Sequence, residues 1–377
     1  MGETKRELSS ILGAIEKANL DHSGAMSIVN ALRKRNLIDF DVTGTGPGYE
    51  KLIPFLLQFW DMETSPYLRD KKAHGRKITL SYCSAAIQKI RSHWQPRFGD
   101  ITINEITRSD LREFSLFLKE KGLACNTVNN IMMVGTTALR WAFFEEIIPS
   151  DPSSGLTSFT GDKVTRDILT AEETEALFRI KWGEKRAYAA ALLSLTTGLR
   201  SGEIRALRKN DIDDSVLHIT HSWNNIEGLK CPKNGEGRVV PLLPQVRAML
   251  LQLLQETPHG GVNNPFVFYS RSPYKPCSAN LFLRCFRRAC MSLSDHTPFP
   301  IDFETRKLDF HSFRHSFSTR MAERMEGNKV AKITGHRSEA AARIYQWHIT
   351  ARILSEMENA TAQEFKNILE CQSKKRA

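Results

Sequence analysis

The stretch from Ser150 to Asp162, SDPSSGLTSFTGD, decides how this chain can fold. It gathers Ser, Thr, Gly and Pro between two helical patterns, has no apolar periodicity of its own, and reads as a hinge between domains. A chain of 377 residues is long enough for two cores and a further piece, so a break here implies a separate core on each side. A second Gly-rich stretch, DVTGTGPGY (41–49), sets off the first 48 residues. No Gly-Lys-Ser/Thr follows its glycines and no strand precedes them, so it reads as a linker rather than a phosphate loop. The expected division is a helical N-terminal appendage over 1–48, a helical domain over 49–150, a linker over 151–165, and a last domain over 166–377 that ends in a helical tail.

Periodicity fills in these segments. In the appendage, Ile11, Ile15 and Leu20, then Ile28, Leu32 and Leu37, suggest short helices. In the middle domain, Val128, Met132, Leu139 and Ala142 recur at helical spacing behind Asn126, which reads as the cap. The last domain opens with a capping box, Thr170 followed by Glu173. A helix over EKRAYAAALLSLTTG then stops at Gly198, a left-handed terminus. Strand-like runs VLHITHSW (216–223) and GRVVPLL (237–243) flank the turn KNGEG. Helical patterns resume and end in ITARILSEMENATAQEFKNILE, whose amphipathic face packs on its own domain or on a neighbouring subunit. The fold class is mainly α with a small antiparallel β-sheet.

Charge narrows the partners. The net charge is +11, and the surplus grows toward the carboxyl end, from 6 basic against 6 acidic residues over 1–48 to 33 against 25 over 151–377. A polyanion suits such a surface, nucleic acid ahead of membrane. No apolar run reaches the roughly 18 residues of a membrane helix. The polar opening MGETKRE reads against a signal peptide, and Arg6 breaks the myristoylation pattern. Seven scattered cysteines without a C-x-x-C pair suggest free thiols in a reducing cytoplasm.

Four segments carry the candidate chemistry. In TGLRSGEIRAL (197–207), Gly198 closes one helix and Ser201 can cap the next. Arg200 is left at the junction, where it either binds a phosphate at the helix N-terminus or pairs with Glu203. In HSFRHSFSTRM (311–321), helical spacing puts His311, Arg314, His315 and Ser318 on one stripe and Phe313, Phe317 and Met321 on the opposite one. If the apolar stripe faces the core, His311 and Arg314 share a cleft or a solvated face. Lys233 precedes the hairpin signal Asn234-Gly235, where it is an exposed turn residue or reaches a groove of DNA. In GHRSEAAARIYQW (335–347), Tyr345 follows His336 by nine residues across three alanines. Separately, RDKKAHGRK (69–77) holds Arg69, Lys71, Lys72, Arg76 and Lys77, either a solvated basic loop or a set of DNA-phosphate contacts.

The order Arg, Lys, His-x-x-Arg, His, Tyr resembles the tyrosine recombinases, the phage integrase family. The matching pieces are TTGLRSGEIRALRKNDID, KNGEGRVVPL, HSFRHSF and GHRSEAAARIY. The resemblance covers roughly residues 50–350 and makes the middle segment similar to that family's helical core-binding domain, with the last domain catalytic. It implies that Tyr345 attacks the scissile phosphodiester to form a 3′-phosphotyrosyl link, while Arg200 and Arg314 clamp the non-bridging oxygens. By the same resemblance His311 shares the tyrosine proton, Lys233 protonates the departing 5′ oxygen, and His336 adds a hydrogen bond to the phosphate. Lys230 lies close enough to compete with Lys233 for that role. Phe313 stands where the family more often has leucine, and alanines precede Tyr345 where a threonine is frequent. The first 48 residues do not look like the β-rich arm-binding domain of some integrases.

The implied protein is a site-specific recombinase of a phage or other mobile element that needs neither metal nor cofactor. It would act as a homotetramer on two DNA duplexes, with accessory DNA-bending proteins as further partners, in the cytoplasm and at the nucleoid. Two other readings stand beside it: a type IB topoisomerase-like DNA relaxation activity, and a catalytically silent DNA-binding regulator.

Overall fold

The computed structural model describes residues 24, 27–28, 31–32, 35, 50–161, 167–232, 237–257, 265–294, 301–325, 327–334, 351–368 and 370. The appendage expected over 1–48 lies outside these, apart from helical fragments between Gly24 and Arg35. The chain separates into two compact units, 1–163 and 164–377.

The first unit is built from α1 (Leu52–Phe59), α2 (Pro66–Ala73), α3 (Leu80–Lys89), α4 (Gln95–Phe98), α5 (Arg108–Glu120) and α6 (Cys125–Phe144). Local signals place several of the ends. Ser65 accepts the Leu68 N–H ahead of a first-turn proline in α2, and Thr107 with Asp110 forms a capping box on α5. The expected cap of α6 is corrected: Ala124 holds the cap position, with extended backbone and no side-chain bond. Asn126 falls inside the first turn, where its side chain is past the position that could receive the free N–H groups.

Two tryptophans fix α6 in the core. A π-helical turn, Ile90–Trp94, interrupts the path from α3 to α4. Trp94 is fully buried, and its indole N–H donates to the Ile131 carbonyl at 2.9 Å. Trp60, buried likewise, donates to the Val134 carbonyl at 3.0 Å. Gly135 is the residue that lets the Trp94 ring lie against the helix: a Cβ there would stand 2.1 Å from ring atom Cη2 and 2.2 Å from Cζ2.

Residues 150–161 do not form a free connection. The Asn129 amide nitrogen donates to the Phe159 carbonyl at 2.8 Å, and its oxygen accepts the Phe159 N–H at 2.9 Å. Leu156 and Phe159 also pack against the first core. The segment is thus an arm of the first unit as far as Gly161. Its composition correctly signals a lack of periodicity, but two apolar side chains and one asparagine are enough to seat it.

The second unit holds α7 (Ala171–Arg179), α8 (Lys185–Thr197), α9 (Ser201–Ala206), β1 (Val216–Ile219), β2 (Ser222–Asn224), β3 (Gly228–Lys230), β4 (Arg238–Pro241), α10 (Pro244–Gln255), α11 (Ala279–Ser294), α12 (Ser312–Arg324), α13 (Gly327–Thr334) and α14 (Ala351–Glu364). Thr170 and Glu173 cap α7 reciprocally. Ala187 and every residue from Ala189 to Thr197 of α8 are buried, so this helix is the axis of the core rather than one wall of it. Phe313 sits among Phe178, Phe286 and Phe310 in edge-on ring pairs of 5.8, 5.3 and 5.7 Å. Such pairs contribute roughly 0.5–1.5 kcal/mol each beyond area burial, which gives the phenylalanine at this position its packing role.

The strand region differs from the simple hairpin expected around KNGEG. The run 216–223 divides into two strands, β1 pairing antiparallel with β4 from Ile219 opposite Arg238 and β2 with β3 from Ser222 opposite Lys230. The β2–β3 ribbon therefore turns at Asn225–Glu227, and Asn234-Gly235 lie outside the described residues. Its two arms are unequal: two residues, Thr220 and His221, separate the outgoing strands, whereas seven, 231–237, separate the returning ones. Buried Arg205 of α9 anchors the tip, donating to Asn225 Oδ1 and to the Cys277 carbonyl, each at 2.7 Å.

The helical tail packs on its own domain. Met357, Thr361, Phe365 and Ile368 are buried. Arg324 bonds Glu364 at 2.8 Å from α12, and Lys329 bonds Glu356 at 2.8 Å from α13. Among the described residues no helix is long and apolar enough to cross a membrane. The six described cysteines are free, and burial pushes the Cys277 and Cys290 thiols up to about 12.

The Trp94 contact yields a stability test. Gly135→Ala should lower the unfolding free energy of the first unit by about 3 kcal/mol, the cost of overpacking a closed core. The check is the urea midpoint followed by tryptophan fluorescence.

Candidate active site

The end of α8 brings the first candidate into place. Gly198 adopts φ 69° and ψ 19°, and its N–H donates to the Ser194 carbonyl at 2.9 Å. A Cβ at this glycine would lie 2.6 Å from Phe317 Cδ1 and 2.9 Å from Thr334 Cγ2, so both its conformation and the close approach of α12 and α13 require glycine. Three residues later the chain enters α9. The cap is Arg200 itself, not Ser201 as expected, because Arg200 has the extended backbone (φ −77°, ψ 149°) that a cap position needs. Gly202 then lets α9 close on β2, since a Cβ there would meet Ser222 Oγ at 2.6 Å.

At the centre lies Glu203, 1% exposed. It accepts the Arg200 backbone N–H at 2.9 Å and Arg200 Nη1 at 3.0 Å. On its other side it receives Arg238 as a fork, Nη1 at 3.0 Å and Nη2 at 2.7 Å. Arg238 Nε donates in turn to the Ile333 carbonyl at 2.7 Å. Pairing of Arg200 with Glu203, one of the two readings left open by the sequence, is therefore present, and it leaves part of the Arg200 side chain facing solvent.

Arg314 enters the same cluster from α12. The helical stripe drawn from the sequence put it opposite Phe313 and Phe317, in a cleft or on a solvated face, and the structure excludes the solvated face: Arg314 is 1% exposed, as buried as those phenylalanines. Its Nη2 donates to the Thr334 carbonyl at 2.7 Å and its Nη1 to the Gly198 carbonyl. These are carbonyls at the ends of α13 and α8, groups that helix geometry leaves without an internal partner. A guanidinium that caps two helix ends can be buried, which a stripe drawn on one isolated helix does not reveal. Nε and the second hydrogens of both terminal nitrogens are not used in these two bonds.

His311 is the residue just before α12. Its backbone N–H donates to Asp309 Oδ1 at 2.8 Å, and its half-buried ring stands edge-on to His315 with centroids 4.9 Å apart. It thus lies one turn before Arg314 in the chain. Lys233, His336 and Tyr345 lie outside the described residues. Lys230, the competitor of Lys233, is ion-paired with Glu227 beside the ribbon turn. In the first unit, Arg69, Lys71 and Lys72 belong to α2 rather than to a loop, and Arg76 and Lys77 follow it. Lys71 lies over the Tyr67 ring at 5.4 Å and Lys72 bonds the Met62 carbonyl at 3.1 Å, while Arg69, Arg76 and Lys77 are exposed. Lysines in the last turn of a helix also complement its dipole.

Among the described residues three guanidiniums, Arg200, Arg238 and Arg314, surround one carboxylate, leaving two positive charges in excess. Burial would raise the Glu203 carboxyl, but the Arg238 fork and charge, with the N–H and charge of Arg200, override it and hold the group at about 2. Burial pushes the Arg314 guanidinium down to about 9, with repulsion from Arg200 and Arg238 adding and Glu203 opposing. It stays charged at neutral pH. A net cationic cluster in a dry setting is suited to an anion whose charge grows during reaction, such as a phosphodiester passing to a five-coordinate transition state. Among the described residues no three His, Cys, Asp or Glu side chains are grouped to hold a metal ion.

Sequence reasoning missed Arg238. It stands one residue before the apolar run VVPLL, and a basic residue leading a buried strand was the available signal.

Glu203 makes the unit acid-sensitive. Its folded value lies below the ordinary 4.5, so it adds stability above about pH 5, and this contribution, on the order of 3 kcal/mol, is lost as pH falls toward 2. Glu203→Gln should cost about 3–5 kcal/mol at pH 7, because it leaves buried guanidiniums uncompensated. The gap from wild type should narrow by about 2 kcal/mol at pH 3, read from urea midpoints at the two pH values.

Comparison with known proteins places the chain in a family. The profile of the phage integrase family matches residues 164–351, and that of the phage integrase SAM-like domain matches residues 63–158. The tyrosine recombinase XerC of Rickettsia canadensis is 26% identical over 258 residues, covering 65% of this chain and 77% of the relative. The putative integrase/recombinase y4rF of Sinorhizobium fredii is 32% identical over 163 residues, covering 42% of this chain and 35% of the relative. Among solved structures, the Tn1549 transposon integrase in complex with circular intermediate DNA superposes with a TM-score of 0.60 at 22% identity, covering 82% of this chain and 99% of that one. A lambda integrase tetramer bound to a Holliday junction gives 0.57 at 17% identity, covering 89% and 87%. With the matching profiles spanning both units and the same fold in these structures, the chain belongs to the phage integrase family, the tyrosine recombinases.

Proposed function

We propose that this chain breaks and rejoins duplex DNA at specific sites, with Tyr345 as nucleophile, in the service of a mobile element. The observation that carries the reading is the excess of two positive charges, among the described residues, at the cluster of Arg200, Arg314, Arg238 and Glu203, where Arg314 holds the Thr334 carbonyl two residues before His336. The Tyr345 oxygen attacks the phosphorus, the bond from phosphorus to the 5′ oxygen breaks, and the 3′ end remains on the tyrosine. The tyrosine proton passes to His311, and Lys233 gives a proton to the departing 5′ oxygen. Arg200 and Arg314 hold the non-bridging oxygens, with His336 adding a bond. The 5′ hydroxyl of a second strand then attacks the phosphotyrosine and returns the phenol. The link keeps the phosphodiester energy, so no nucleotide need be hydrolysed.

Binding of the duplex draws on the basic face of the first unit through Arg69, Lys71, Lys72, Arg76 and Lys77. The structures bound to DNA among the relatives, one of them a tetramer on a Holliday junction, support a homotetramer on two duplexes. Accessory DNA-bending proteins and a place at the nucleoid complete the proposal.

A duplex nicked beside the cleavage position, so that the released 5′ fragment diffuses away, should trap the wild-type chain as a covalent adduct. Tyr345→Phe should bind the same DNA and trap nothing, and adduct from that variant would point to another nucleophile. Arg200→Lys and Arg314→Lys should each slow trapping by about 10²–10³-fold. Two marked sites should give joint products. Relaxation of supercoils without joint products would favour the topoisomerase reading, and binding without any adduct the silent regulator. Replacing Arg76 and Lys77 by alanine should weaken binding to any sequence and lower the slope of log affinity against log salt by about 2.

A further inference from the structure

Arg238 takes no part in the phosphate chemistry assigned above, yet it joins the groups that do. Its side chain is 8% exposed and bonds in two directions. The fork engages both Glu203 oxygens, and through them Arg200. Nε engages the Ile333 carbonyl in the last turn of α13. The next carbonyl, that of Thr334, is taken by Arg314. Successive carbonyls at the end of α13 are therefore held by different arginines, immediately before Gly335, His336 and the stretch to Tyr345. Arg238 also opens β4, opposite Ile219, so its backbone marks where the connection carrying Lys233 ends.

We propose that Arg238 is a positioning residue for DNA cleavage, one that locks the Glu203–Arg200 pair to the end of α13 and so sets where the phosphate clamp lies relative to the start of the tyrosine segment. The proposal rests on the recombinase reading above. Only a guanidinium satisfies the geometry, because two parallel donors must meet a carboxylate while a third, in the same plane, meets a carbonyl. A lysine supplies the charge but not the span. Glu203 is faced by Arg200 from α9, Arg238 from β4 and Arg314 from α12. Without Arg238 the carboxylate draws on Arg200 alone among its direct partners, and burial shifts it toward the protonated form.

The experiment uses the full chain and a nicked duplex selected from a randomised pool by covalent capture on wild type. Single-turnover adduct formation is followed from pH 5 to pH 8 for wild type, Arg238→Lys, Arg238→Gln and a surface control, Arg247→Gln. Adduct amplitude counts the folded, competent molecules, whereas the rate constant reports alignment. Both Arg238 variants should lose about 10–100-fold in rate constant, the effect of a misplacement near 1 Å. Amplitude and DNA affinity should stay within about threefold of wild type, and the control should match wild type. Wild type, with the Glu203 carboxyl held at about 2, should show no acid limb from that group between pH 5 and pH 8, whereas in Arg238→Gln burial should bring its protonation up into that range and add one. A loss confined to amplitude, a rate constant within about threefold of wild type, or an Arg238→Gln profile with no added acid limb overturns the proposal. If Arg238→Gln does not fold, the rate constant of Arg238→Lys decides. Failure of wild type to capture any member of the pool sinks the recombinase reading itself and is distinguishable from every other result.

Discussion

A carboxylate removed from water must find positive partners or give up its charge, and Glu203 is removed from water almost completely. Its partners come from different parts of the chain: Arg200 from the start of its own helix, Arg238 from the opening of β4. Arg238 and Arg314 then reach the last turn of α13. One buried negative charge thereby fixes the relative positions of α9, β4, α12 and α13. The glycines at 198 and 202 follow from the same demand, since a methyl group at either would hold apart elements that this pairing draws together. The positive charge left over is what a phosphodiester would meet.

The first unit reaches rigidity by other means. Its core rests on aromatic packing around α6, where the Trp60 and Trp94 indoles are apolar bodies with one polar atom each, both satisfied by helix carbonyls. A π-helical turn brings Trp94 to its place. No buried ion pair of the Glu203 kind appears among its described residues, and its basic residues on and after α2 are largely exposed. Surface charge on a neutral core matches an electrostatic, sequence-independent grip on a backbone. Buried charge in the second unit matches chemistry at one atom.

Much of this was legible in the residues, and the boundary between what was and was not has a physical cause. Thr170 with Glu173, and Gly198, act within a few residues of themselves, so a local rule finds them. Asn126 and Ser201 misled because several nearby residues could serve as caps, and the backbone chose Ala124 and Arg200. Arg314 misled for a deeper reason. Its burial depends on carbonyls 116 and 20 residues away, and no periodicity in HSFRHSF carries that information. Arg238 offered only its place ahead of a buried strand, its Ile333 partner lying 95 residues on. The arm over 150–161 reads as a connection from its composition and is seated by Asn129, Leu156 and Phe159.

The unequal arms of the β-ribbon bear on how this protein can vary. Pairing is intact on both sides of the uneven section, with Ile219 opposite Arg238 and Ser222 opposite Lys230. Residues gained or lost between 231 and 237 would therefore lengthen or shorten a connection without turning any strand over, whereas a slip of one residue in β4 would send Arg238 to the opposite face. Doubling such a connection costs only about 0.6 kcal/mol in closure entropy. The flanking ladder thus tolerates a change of length at that point, and only the reach of Lys233 is altered by it.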